Sequence, residues 1–134
     1  MQSPIRALLY GMAIWFLWVS MVVVSARLLP TGISGSALFV SMQVVALVAL
    51  VLGSTILYLR RVGDGTFEEG LLVGLSWAVI MIAIDLAHSV VHPDMGSLDT
   101  GTYFATVVSS YVVIPIITTL TMGYLERRSL KPGP

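Results

Sequence analysis

Asp85, His88 and His92 follow one another at single-turn spacing at the far end of a long apolar run, Gly70 to Val91. An acid and two imidazoles stacked that way on one helix face could relay a proton or hold a cation. Asp85 is the anchor of this reading. An ionisable residue inside a stretch long enough to cross a bilayer is expensive there and calls for a partner. Arg27, at the end of an earlier apolar run, is the cation expected to supply it, so that Arg27, Asp85 and His88 form an intramembrane charged cluster with Gln43 and His92 as accessory polar residues. The alternative is that Asp85 and Arg27 form a structural ion pair, with the two histidines hydrogen-bonding at the interface.

The remaining chemistry-bearing residues point to less. Glu68 and Glu69 adjoin, but neighbouring glutamates on a helix diverge. Thr66 stands three residues before Glu69, the spacing of a capping box, and capping is the economical account of these acids. The absence of cysteine excludes disulfides, thiolate catalysis and cysteine-based metal sites, and two histidines alone make a weak metal site. No nucleophile–base arrangement or phosphate-binding glycine loop is present, so the expectation is no catalytic residue, no metal, no cofactor and no enzyme activity. A formal net charge of zero gives no footprint for nucleic acid.

Long apolar elements must position these residues. The chain of 134 residues is 57% hydrophobic and 10% charged, with a mean hydropathy of +0.94. Charged residues make up about 25% of ordinary soluble domains, so the class is an integral membrane protein. Four spans are expected, at about residues 5–29, 36–59, 69–91 and 102–125, within a single domain covering 1–134. The first holds twenty uncharged residues, Ala7 to Ala26, and exceeds the roughly 7 to 15 residues of a signal-peptide apolar core. Pro30, Gly32 and Gly35 mark a tight turn, Gly63-Asp64-Gly65 a second connection, and the segment from His92 to Gly101 a loop. Pro115 should free the carbonyl of Tyr111 and kink the fourth span, and the final Leu130-Lys131-Pro132-Gly133-Pro134 cannot continue a helix.

The expected fold class is therefore all-α, an integral membrane four-helix bundle. Arg6, Arg60, Arg61, Arg127, Arg128 and Lys131 share one side of that topology and only Arg27 the other, which makes both termini cytoplasmic. Counted from that side, Asp85 lies about 22 Å above Gly70 and Arg27 about 33 Å above Ile5, so both fall in the outer leaflet. On the third helix Gly70, Gly74, Ala78, Met81, His88, Ser89 and His92 lie within roughly 60° of Asp85. Gly70, Gly74 and Ala78 are the helix-packing residues of this stripe, which should face protein or a water-filled cleft. Ala46, Ala49 and Gly53 could likewise admit a close neighbour, Gln43 is expected to make an interhelical hydrogen bond, and Trp15 and Trp18 fall mid-span, where packing is their expected role.

The pairing of GMAIWFLWVSMVVVSARLL with GLLVGLSWAVIMIAIDL resembles uncharacterised small four-helix bacterial inner-membrane proteins, with an arginine closing the first helix and an acid in the third. The resemblance implies the fold and the cell inner (plasma) membrane, and brings no activity with it. The functional expectation is a non-enzymatic oligomeric scaffold or accessory subunit of a membrane complex, whose partners are the lipid bilayer and either further copies of itself or other membrane subunits. The alternative is a homo-oligomeric transporter or channel for a proton or small ion, built on Asp85, Arg27 and His88.

Overall fold

The computed structural model describes residues 4–28, 37–62, 65–91 and 109–129, and these are helical almost throughout. Helix α1 spans Pro4–Leu28, α2 Ala37–Val62 and α3 Phe67–Val91; a short helix α4, Ser109–Tyr111, leads into α5, Val113–Ser129. The turn at Pro30 to Gly35, the Gly63-Asp64 step, the loop from His92 to Gly101 and the terminal Leu130 to Pro134 lie outside the described residues, as does the start of the expected fourth span.

Local sequence explains the helix ends. Pro4 stands first in α1, where its missing N–H would have no intrahelical partner. Thr66 caps α3: its Oγ1 accepts from the Glu69 N–H at 3.1 Å, and its carbonyl from the Gly70 N–H at 2.9 Å. Two further caps come from distant helices. Glu126 Oε2 of α5 accepts the Phe67 N–H of α3 at 2.9 Å, and Arg6 of α1 donates to the Arg61 carbonyl near the end of α2 at 2.7 Å. Between α4 and α5 the helix breaks at Val112, next to Tyr111, whose carbonyl would have been the acceptor for the N–H that Pro115 lacks.

Helices α1, α2 and α3 are long and apolar enough to cross a membrane. Their outward residues are apolar: Phe16 on α1, Val45 on α2 and Val79 on α3 are each more than half exposed. Backbone groups paired within helices and an apolar exterior are what hydrocarbon demands. Helix α3 packs on α1 and on α5, and α2 packs on the same two neighbours.

The closest approach is between α3 and α5. A Cβ placed on Gly70 would stand 2.8 Å from the Thr118 carbonyl oxygen and 2.9 Å from Thr119 Cα, and one on Gly74 would stand 2.5 Å from Pro115 Cα. Only glycine lets the two backbones meet this closely, and dispersion over that contact replaces the hydrophobic drive that lipid cannot supply. Ala78, one turn further along, is half-buried against the core. Gly53, by contrast, is exposed with nothing within 4 Å of its would-be Cβ, and Ala49 is exposed too. Ala46, on the same face of α2, is half-buried.

Candidate functional site

Asp85 is half-buried on α3, and both its carboxylate oxygens are engaged. The Trp15 indole N–H of α1 donates to Oδ1 at 2.6 Å, and the Tyr111 hydroxyl of α4 donates to Oδ2 at 2.5 Å. Both donors are neutral, and the lengths are short, as expected for donation to a carboxylate. One side chain thus ties three elements together. Trp18, one turn above Trp15, lays its ring edge-on against Tyr111 with centroids 5.7 Å apart. Its indole Nε1 is buried without a hydrogen-bond partner among the described residues.

This arrangement corrects the expected pairing of Asp85 with Arg27. The Trp15–Asp85 and Trp77–Ala7 hydrogen bonds each join residues seventy apart, which fixes the register of α1 against α3. In that register Arg27 lies twelve residues beyond Trp15, about 18 Å further along the helix axis, and its side chain is exposed. The same register corrects the depth. The sequence-based count set Ile5 level with Gly70, whereas the seventy-residue offset sets it level with Leu75. Asp85 consequently lies opposite the middle of the uncharged run of α1, not toward its far end. The side chain of His88 and all of His92 lie outside the described residues.

Gln43 also departs from expectation: it is 9% exposed, and its Oε1 has no hydrogen-bond partner among the described residues. Glu69 does more than cap. Only its backbone N–H completes the Thr66 half of the capping box; the residue is 6% exposed, and its carboxylate accepts the Tyr58 hydroxyl of α2 at 2.8 Å. Tyr58 in turn meets Tyr10 and Trp77 edge-on, at 6.1 and 6.3 Å between centroids. The Trp77 indole donates to the Ala7 carbonyl at 2.7 Å.

Asp85 and Glu69 of α3 are therefore each held by aromatic donors from neighbouring helices. Between them the interior is apolar. Val73, Trp77 and Met81 on α3, with Ile14 on α1, Val51 on α2 and Ile114 on α5, are all fully buried. The hydroxyls nearby, Thr55 and Thr118, donate within their own helices, to Val51 and to Ile114 and Pro115. Glu69 and Asp85 are sixteen residues apart on α3, about 24 Å, with no polar step between them among these side chains. Sequence reasoning missed Trp15, Tyr58 and Tyr111. The available signal was that a buried indole N–H or phenol needs an acceptor, and acids are the strongest acceptors in these apolar spans.

Among the described residues no group of three or more His, Asp or Glu could hold a metal ion. No protein-family model, curated protein or solved structure matches the chain.

Proposed function

We propose that the chain is a small multi-pass protein of the cell inner (plasma) membrane, a four-helix bundle with both termini cytoplasmic, of the kind the resemblance to small bacterial inner-membrane proteins implies. Its role is non-enzymatic: it acts as an oligomeric scaffold or as an accessory subunit of a membrane complex. The observation that carries this reading is the way Asp85 and Glu69 are used. Asp85 and Glu69 each join helices through aromatic donors, and fully buried apolar side chains separate them. A proton or ion path needs a chain of exchangeable groups or a wet cavity, and among the described residues fully buried apolar side chains occupy the interior between these acids. The same hydrogen bonds suit a rigid body on which other subunits assemble.

The test is extraction into lipid nanodiscs without harsh detergent, followed by intact-mass measurement. The reading expects a homo-oligomer or a stoichiometric complex with other membrane proteins. Recovery of the chain solely as a monomer would overturn it.

A further inference from the structure

Beside the start of α3 the surface carries a groove, bounded by Phe67, Leu120 and Tyr124 with Glu126 and Arg127 at its mouth and Gly123 in its wall. Two features shape it. The ring of Phe67 lies against Gly123, where an added Cβ would come within 3.1 Å of it, so the missing side chain is what leaves the depression open. Ile116, Leu120, Gly123 and Arg127 follow at intervals of four, three and four, which places them on one face of α5. Ile116 and Leu120 are 51% and 64% exposed.

We propose that this groove binds one zwitterionic aminophospholipid, with its phosphate on Arg127, its ammonium on Glu126 and one acyl chain laid along Leu120 and Ile116. The charge pattern selects the headgroup. Arg127 is exposed and lines the groove, and a guanidinium is suited to a phosphate oxygen. Glu126 also lines the groove; its Oε2 accepts the Phe67 N–H, and a carboxylate has about four acceptor sites in all. Among the described residues lining the groove the charges are one cation and one anion, which complements a headgroup that carries both signs. A choline head offers no N–H to the carboxylate, and a glycerol head offers no cation.

The length also fits. Arg127 and Ile116 are eleven residues apart, about 16 Å along α5, close to half of the roughly 30 Å hydrocarbon core. The exposed ring of Tyr124 lies near the headgroup end, where amphipathic aromatics favour the interface. The groove is separate from the Asp85 and Glu69 contacts, so the proposal stands independently of the scaffold role.

The test uses the full-length protein in micelles and native mass spectrometry. It is titrated with palmitoyl-oleoyl phosphatidylethanolamine, phosphatidylglycerol or phosphatidylcholine. One phosphatidylethanolamine is expected to remain bound, with preference over the other two of roughly tenfold, the size of one charge-assisted contact. Arg127→Gln should lower that affinity by a similar factor, while Arg60→Gln, outside the groove, should not. Glu126→Gln keeps an acceptor for the Phe67 N–H and should erase the preference for ethanolamine over choline. Gly123→Leu, which fills the groove, should abolish retention. Preferential retention of phosphatidylglycerol, equal retention of all three, or no change in Arg127→Gln would each overturn the assignment.

Discussion

Replacing Tyr111 by Phe removes one hydroxyl from the Asp85 site and leaves the ring against Trp18 in place. The loss can be bounded. A hydrogen bond to a charged acceptor contributes about 1.5 to 3 kcal/mol in soluble proteins. Interhelical hydrogen bonds in membranes average about 0.6 and reach about 1.7 kcal/mol. Asp85 is only half-buried but the Tyr111 contact is short at 2.5 Å, which argues for the upper part of the membrane range, about 1 to 1.5 kcal/mol. For a chain of this size that is a fall in melting temperature of roughly 3 to 8 °C. Asp85→Ala should lower it further, because it leaves both the Trp15 N–H and the Tyr111 hydroxyl without their acceptor. The double variant decides the matter: once Asp85 is gone the hydroxyl has nothing to bond, and Tyr111→Phe should then change stability by less than about 0.5 kcal/mol. Thermal unfolding in one detergent, followed by Trp fluorescence and circular dichroism, supplies the four corners of the cycle. Losses that add in the double variant would refute the claim that the two side chains are coupled.

Two other substitutions test the register and the packing. Arg27→Gln removes a charge that is exposed and about 18 Å from the Asp85 site, so its stability should stay within about 0.5 kcal/mol of the wild type in the same melts; a loss of several kcal/mol would restore the ion pair. Gly74→Ala drives a Cβ into the backbone of α5 at Pro115 and should destabilise by about 1 to 3 kcal/mol, whereas Gly53→Ala, in open space on α2, should be neutral or slightly stabilising; equal effects at the two positions would contradict the α3–α5 contact.

The contrast between Asp85 and its partners shows what the sequence made legible. An acid in an apolar run stands out by itself, and so do Gly70 and Gly74 at helical spacing, because periodicity is a local property of one helix. The partner of Asp85 depends on how far α1 slides along α3, and nothing in either run encodes that offset. Aligning the two apolar runs by their first residues led to Arg27, whereas the Trp77–Ala7 hydrogen bond and the Gly11–Trp77 contact hold α1 several residues higher. Glu69 was hidden for a related reason. Its spacing from Thr66 satisfies a local capping pattern, but Tyr58 arrives from α2 and takes the carboxylate. A kink from Pro115 was the easier inference, since Pro115 lacks its donor whatever surrounds it, and the helix is interrupted at Val112.

The account turns on whether the Asp85 site is a lock or a passage, and proton or cation flux into liposomes containing the purified protein measures that directly. With a pH-sensitive dye inside and an imposed potential, the buried apolar side chains between Glu69 and Asp85 predict the same leak as protein-free vesicles for wild type, Asp85→Asn and His88→Ala alike. Flux present in the wild type and lost in both variants, with their helices intact by circular dichroism, would contradict the scaffold reading and establish Asp85 as a transport residue.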